Sequence, residues 1–373
     1  MKSRPAVAYL LLAGFVAGMA WWSAAPVHVV SADAPGSWDR RSAARYLDQR
    51  EIWWQQWPRA QKDQGTLCIS CHTVVPYAMV RPALRRELGE MAMSTPEKTM
   101  MDSVEKRVTH WSEMATFYTD AKSGPGKTAE SHATEAVLNA VMLASYDPRP
   151  GDMRPITRTA FDEAWALQEQ TGPLAGGWKW QDFHLGPWEG PESGYQGAAL
   201  LLVEAVNAPE GYTREPEVRG HLDRLREYLR RQYAAQPLMN QLYVLWASPK
   251  EHGLLTSAER KALLAAVRSQ QQADGGWRTA AMDKRERIDH SPEPMQSDGY
   301  ATGLAVLAME ESGTPRRDST LKRGLAWLAE HQQKDGTWTA VSINKERDPK
   351  TDPAAFMTDA ATAYAVLALE KQR

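Results

Sequence analysis

The chain has 373 residues, of which 43% are hydrophobic, so it can bury one large core or two smaller ones and is too apolar to be disordered as its main state. Its 44 basic and 46 acidic residues give a net charge of −2. This balance argues against a nucleic-acid partner and against a polybasic membrane patch. Tryptophan is abundant, with 15 residues, whereas the two cysteines are too few for a disulfide framework.

The first predicted element is an export signal. Lys2 and Arg4 precede an uncharged apolar run over residues 6–22, which is the pattern of a basic n-region and an apolar core. The run suits either a cleaved signal peptide or an uncleaved anchor in the inner membrane, with a buried core helix as the third alternative. Both export alternatives place the body of the protein in the periplasm or another extracytoplasmic compartment. We assign residues 1–37 to this segment and its linker.

Both cysteines belong to one motif, Cys68-Ile69-Ser70-Cys71-His72. In a CxxCH motif the two thiols add to the vinyl groups of haem, and the adjacent histidine binds the iron. A zinc site would need four ligands, and no second cysteine pair exists. A thioredoxin-like pair would need a βαβ setting, which the pattern does not predict. We therefore expect one covalent haem c on Cys68 and Cys71, with His72 as the proximal iron ligand.

Helical patterns flank this motif. An amphipathic, tryptophan-rich stretch runs from Arg40 to Trp57, and Ser94 followed by Pro96 predicts the start of a helix that extends from Glu97 to Tyr118.

The motif and its helical flanks resemble small monohaem c-type cytochromes over about residues 40–125. In that family a methionine just before the last helix supplies the sixth iron ligand, which implies Met93 or Met91 here, although the spacing from His72 is short for the family. A five-coordinate haem is a further alternative. The other candidates for the distal position are His110, Met114, Met100 and Met101.

The remainder of the chain is predicted to be a helical repeat. Charged helices end in glutamine followed by Gly-x-Trp, clearly at Gln271 to Trp277 and Gln332 to Trp338, and more loosely at Gln168 to Trp178. They alternate with helices rich in alanine and glycine, at a spacing that accommodates two helices per repeat. We expect the glycine to allow a sharp turn, the tryptophan to stack on the helix end and the glutamine amide to bind backbone at neighbouring helix ends.

This alternation predicts an α/α toroid with about five helix pairs from residue 130 onward. A sixth pair comes from residues 40–118, or the ring is incomplete.

These glutamine–tryptophan turns resemble the QW motifs of squalene-hopene cyclases and related terpenoid-cyclase toroids over about two thirds of the chain. The resemblance implies the fold but not the catalysis, because the Asp-x-Asp-Asp motif that protonates the cyclase substrate does not occur. The related prenyltransferases hold zinc partly by cysteine, and no cysteine is spare here. The predicted fold is all-α, with a cytochrome c-like segment over 38–125 and an α/α toroid over 126–373.

In such a toroid the N-termini of the inner helices point to one mouth of the central cavity. The titratable residues predicted there are Glu130, His132, Glu192, Tyr195, Asp298, Tyr300 and Asp359. They are candidates for acid–base catalysis, while helix capping is the commoner role of an aspartate at such a position. The aromatic stretch over 178–188 lines an apolar pocket, shields haem or packs as an ordinary loop.

Two functions follow from these patterns. The first is an exported monohaem protein that transfers electrons to or from a redox partner protein, while its toroid binds a partner or an apolar, isoprenoid-like ligand. The alternative is a periplasmic terpenoid- or lipid-modifying enzyme that uses haem as its redox centre. A scaffold in a larger redox assembly is the third reading. The haem motif is the more specific chemical signal and favours the first.

Overall fold

The computed structural model describes residues 38–114, 124–148, 151–209, 211–283 and 285–371. The predicted export segment and its linker over residues 1–37 lie outside the described residues. Within the described ranges, no helix combines the length and the apolar character that crossing a membrane requires.

Six helices form an inner ring. They are α2 (Val74–Glu87), α4 (Gly124–Ser145), α6 (Ser193–Asn207), α8 (Leu238–Ala247), α11 (Gly299–Glu311) and α13 (Asp352–Glu370). Each packs against the next in this order, and α13 packs back against α2, so the ring closes. Their sequences explain the inner position. Helices α6 and α11 are almost entirely buried, 11 of the 19 residues of α13 are buried, and the alanines of all three let neighbouring backbones approach closely.

Six further helices pack around the outside of this ring. They are α1 (Arg40–Gln56), α3 (Thr95–Thr109), α5 (Pro155–Ala166), α7 (Pro216–Gln232), α9 (Ser257–Gln270) and α12 (Ser319–Glu330). Each buries one apolar stripe and exposes its charged face, as in α7, where five aliphatic or aromatic residues are buried. A short helix, α10 (Thr279–Asp283), a two-stranded antiparallel sheet and five short 3-10 helices complete the described elements. The sheet pairs β1 (Gln61–Lys62) with β2 (Thr66–Leu67) in the register Gln61↔Leu67 and Lys62↔Thr66. The mostly helical architecture confirms the all-α, toroid part of the predicted fold class, whereas the cytochrome c-like segment is not confirmed.

The stretch predicted as a cytochrome c-like segment supplies helices to this ring. The outer helix α1 and the inner helix α2 form one pair, and α3 pairs with α4. Ten of the 14 residues of α2 are buried, because α2 lies between α4 and α13. Helices α1 to α3 thus belong to the same ring as the later repeats, and the sixth helix pair is α1 with α2, which lies within the region that the repeat pattern offered as one alternative.

The glutamine–tryptophan turns have the predicted construction. Gly176, Gly275 and Gly336 have positive φ angles of 89°, 96° and 93°, which a residue with a side chain rarely adopts. After each glycine, the buried indole N–H donates to a carbonyl of the preceding outer helix, as in the 2.7 Å bond from Trp338 to Leu328. The turn thus caps the end of the outer helix with a fully buried aromatic side chain.

The glutamine of each turn connects neighbouring outer helices. The Gln271 amide donates to the carbonyls of Gly275 (2.8 Å) and Thr320 (2.9 Å), which links α9 to α12. The Gln332 amide likewise donates to Gly336 (3.1 Å) and to Asp39 (2.9 Å), the N-cap residue of α1. The last turn of the chain therefore closes the outer layer onto its first helix.

Candidate functional site

The N-termini of the inner helices meet at one end of the ring, which we call the mouth. The connections that lead into α2, α6, α11 and α13 are long, over residues 57–73, 167–192, 271–298 and 331–351, and they cover this end. The CxxCH motif lies on the first of them, and His72 stands two residues before α2 begins. The mouth is therefore where the predicted haem ligand meets the loops of the other repeats.

His72 is the first member of a hydrogen-bonded chain of side chains. Its Nδ1 atom lies 2.8 Å from Oγ1 of Thr73, and the Thr73 hydroxyl lies 2.7 Å from Oδ2 of Asp359. Asp359, on the second turn of α13, is 1% exposed. Its other oxygen, Oδ1, accepts from the Tyr46 hydroxyl at 2.7 Å and from Nε of Arg50 at 2.8 Å. Helices α1, α2 and α13 thus converge on one carboxylate beside the motif.

Aromatic rings surround the His72 imidazole. Phe356 stacks on it with ring centroids 3.8 Å apart and planes inclined by 18°, Trp54 meets it edge-on at 5.5 Å, and Trp188 lies 5.8 Å away. Burial lowers the pKa of His72 to about 3, and the charges of Arg50 and Arg347 act in the same direction. The imidazole is therefore neutral over the physiological pH range.

The two cysteines are free thiols, each half-buried. Burial raises the pKa of Cys68 to about 11 and that of Cys71 well above its ordinary value, so both stay protonated at neutral pH. The Trp54 indole donates to the Cys68 carbonyl at 2.7 Å and holds the backbone of the motif. On the inner side, the void that Cys71 lines with Trp180 and Tyr364 measures about 10 Å³, so this side of the motif is packed.

The donor set of the motif fits haem c. It offers two thiols three residues apart and a neutral imidazole with one ring nitrogen in the hydrogen-bonded chain, all in aromatic surroundings. Metal-binding histidines characteristically donate their second ring N–H to an oxygen acceptor, as the Thr73 hydroxyl provides here.

The candidates for the distal iron ligand differ in their exposure and in their position relative to His72. Met91 and Met93 are 99% and 41% exposed on the connection that follows the far end of α2, so neither is brought next to His72. The family spacing fails here because α2 is a full-length ring helix. His110 is the C-cap of α3 and lies 3.2 Å from Glu113, while Met114 is buried. The other two methionines, Met100 and Met101, are core residues of α3.

Most of the other mouth candidates have structural partners. Asp298 is the N-cap of α11 and accepts from the Ala301 N–H at 2.9 Å, which is the capping role. The Tyr195 hydroxyl donates to the Leu229 carbonyl at 2.9 Å. Glu130 pairs with Lys127 at 2.6 Å, and the His132 ring lies 5.3 Å from that of Trp111. Of the predicted candidates, Asp359 alone is hydrogen-bonded into the His72 chain.

Glu192 lies apart from His72, in an open cleft of about 560 Å³. The connection between α7 and α8 is short, over residues 233–237, and leaves this part of the mouth uncovered. Arg285 bridges Glu192 (3.1 Å) and the buried Asp283 (3.2 Å) at the cleft. Burial raises the pKa of Asp283, and the charge of Glu192 adds to the effect while Arg285 opposes it.

The axis of the ring is filled by side chains that the sequence analysis did not identify as a group. The hydroxyl of Tyr243 lies 3.0 Å from that of Tyr300 and 2.9 Å from that of Tyr364, and it accepts from the Gln196 amide at 2.7 Å. All four residues are buried. Trp188 connects this cluster to the site, because its ring lies 5.5 Å from Tyr300 on one side and near His72 on the other.

Sequence reasoning also missed Thr73, Tyr46 and Arg50. No local pattern marks them, because their common partner Asp359 is about 300 residues away in the chain. Thr73 could have been found from the sequence, because a hydroxyl residue directly after the motif histidine and before a helix can hydrogen-bond to that histidine.

Comparison with known proteins supports the C-terminal part of this description. Residues 251–371 match the family model of the squalene-hopene cyclase C-terminal domain, roughly a third of the chain. They contain α9 to α13 and two of the three glutamine–tryptophan turns. This part of the chain is therefore similar to a cyclase toroid, as the QW-like motifs predicted. The comparisons give no support for the cytochrome c-like segment, and haem binding stays a prediction.

No curated protein matches the chain at a significant level. Among solved structures, one titled a polysaccharide lyase aligns with 12% identity and a TM-score of 0.36, covering 90% of this chain and 90% of that chain. A likeness this distant carries no argument about the function.

Proposed function

We propose that this chain is an exported redox protein in which one haem c is attached at the mouth of a cyclase-like toroid. Cys68 and Cys71 would hold the group covalently, and Nε2 of His72 would bind its iron. The observation that carries the proposal is the position of the whole motif at the start of an inner helix, with His72 neutral, buried among aromatic rings and hydrogen-bonded through Nδ1.

When bound, haem c supplies one-electron redox chemistry. The chain's own residues would then do three things. The thiols would fix the position of the group, His72 would bind its metal, and Trp54, Phe356 and Trp188 would exclude water from the imidazole. A lower local polarity stabilises the less charged redox state, so this aromatic shell would raise the reduction potential.

The direct test is an optical spectrum of protein produced together with the haem c maturation system. The pyridine haemochrome of the wild-type chain is expected to show covalent c-type haem, and the spectrum should lose its low-spin character in His72→Ala. His184→Ala is a matched control, because His184 is an exposed histidine on a mouth loop. A chain that matures fully but carries no covalent haem would overturn the proposal.

The second candidate is a terpenoid- or lipid-modifying enzyme on the same fold. The match of residues 251–371 to a cyclase domain favours it. A cavity of about 1070 Å³ at the end of the ring opposite the mouth offers room for a substrate, where Met79, Trp246 and Leu307 supply apolar surface beside charged residues such as Arg86 and Glu311. The filled axis separates this cavity from His72, so such an enzyme would work with a substrate at one end of the ring. Turnover of a polyprenyl substrate by the His72→Ala variant would establish this function instead.

Under both proposals, the apolar run over residues 6–22 would direct the protein to the cell envelope. An export signal there delivers the chain to the compartment in which haem c is attached, and its partner would be a redox protein of that compartment. Fractionation of cells that express the full chain tests this placement, and recovery of the protein in the cytoplasm alone would contradict it.

A further inference from the structure

The hydrogen-bonded chain beside the motif has a defined direction. Oδ1 and Oδ2 of Asp359 face three donors, namely the Tyr46 hydroxyl, Nε of Arg50 and the Thr73 hydroxyl. A carboxylate accepts only, so the single hydroxyl proton of Thr73 is committed to Asp359. The Thr73 oxygen can then only accept from His72, 2.8 Å away.

We propose that Asp359 and Thr73 are positioning residues that hold His72 as the Nδ1–H tautomer and aim its Nε2 lone pair at the bound group. In the haem protein this lone pair would bind iron, so that part of the inference rests on the proposed function. The tautomer itself does not depend on bound haem, because the protein's own side chains set it.

This arrangement gives the toroid a role in the chemistry of the motif. Asp359 lies on the last inner helix, 286 residues after Thr73, and reaches the motif only because α13 closes the ring onto α2. Arg50 approaches from the outer helix α1 and neutralises the buried carboxylate, and Tyr46 of the same helix donates a hydrogen bond to it. The ligand histidine is thus oriented through Thr73 by residues of α1 and α13, and not by its own loop alone.

A valine in place of Thr73 preserves the shape of the side chain and removes the hydroxyl, whereas a serine keeps the hydroxyl. Thr73→Val and Thr73→Ser therefore form a matched pair of variants, and neither removes the buried charge of Asp359. The first measurement is the tautomer of His72 in the full chain produced without haem, by long-range ¹H–¹⁵N correlation of selectively labelled histidine, with His72→Gln assigning the signal.

We expect Nδ1–H in the wild type and in Thr73→Ser, and loss of this tautomer in Thr73→Val. The second measurement is the midpoint potential of the haem-loaded chains. A hydrogen bond from Nδ1–H makes the imidazole a stronger donor and favours the oxidised metal, so Thr73→Val should shift the equilibrium toward reduction about tenfold relative to Thr73→Ser, or about 59 mV.

The outcomes are distinguishable. An Nδ1–H tautomer that persists in Thr73→Val, or an Nε2–H tautomer in the wild type, would overturn the inference whether or not haem is attached. The expected tautomers in a chain that never carries haem would support the positioning role and refute the proposed redox function. Equal midpoint potentials in the two Thr73 variants would contradict the effect on the metal.

Discussion

Gln332 is the residue at which the closure of the outer layer can be tested. Its amide donates to the carbonyls of Asp39 and Gly336, and its Oε1 accepts from the Asp39 N–H at 2.6 Å. A hydrogen bond contributes about 0.5–1.5 kcal/mol net, and water can replace part of this at a half-buried site. Gln332→Ala, which removes all three bonds, is therefore expected to lower the free energy of unfolding by about 2 kcal/mol.

The assay is denaturant unfolding of the full chain combined with hydrogen exchange of the α1 amides. Gln271→Ala is the matched control, because Gln271 has the same role between α9 and α12 but does not contact α1. We expect the two variants to lose similar amounts of stability. Only Gln332→Ala should show faster hydrogen exchange at the start of α1. Unchanged exchange in α1, or equal changes in both variants, would refute the reasoning that Gln332 closes the ring.

Three further predictions follow from buried groups. Burial raises the pKa of Glu51 to about 8, so the folded state keeps a proton that the unfolded state releases near pH 4.5, and the free energy of unfolding falls as the pH rises between these values. Glu51→Gln should remove this pH dependence and stabilise the protein at pH 8 by on the order of 3 kcal/mol. Unfolding curves with the same pH dependence in the wild type and the variant would contradict this prediction. Gly303→Ala would place a methyl group 2.6 Å from the Ala365 nitrogen, so we expect a loss of about 1–3 kcal/mol in thermal unfolding, and a neutral effect would mean that α11 and α13 do not pack as described. If Met114 is the distal ligand, the wild type shows a methionine–iron charge-transfer band that Met114→Leu abolishes and His110→Ala leaves. A low-spin wild type without this band, whose spectrum changes in His110→Ala alone, would select His110.

The repeat was readable from the sequence because its signals are local. A glycine with positive φ, an indole that caps the preceding helix and a glutamine that binds helix-end backbone all lie within a few residues of one another, as at Gln271, Gly275 and Trp277. Ser94 likewise predicted the start of α3, where it forms a capping box with Glu97. These features depend on backbone conformation and therefore leave a pattern in consecutive residues.

The site could be predicted only in part, because its remaining contacts join distant parts of the chain. The CxxCH spacing identified His72, and the mouth geometry of toroids identified Asp359 as a candidate, but nothing in the sequence indicated that the two share Thr73. Met93 was implied by its place just before the last helix of the cytochrome family, which carries no such meaning once α2 is a full-length inner helix. The filled axis was missed for the same reason, since its tyrosines come from three separate repeats.

The proposed redox function depends most directly on covalent haem at the CxxCH motif. The decisive measurement is the intact mass of the chain exported by cells that contain the haem c maturation system, compared with Cys68→Ala/Cys71→Ala. We predict a gain of one haem in the wild type, retained under denaturing conditions, and none in the double variant. A wild-type chain that is exported and folded with the mass of its polypeptide alone would contradict the account and leave a cyclase-like toroid without the redox centre.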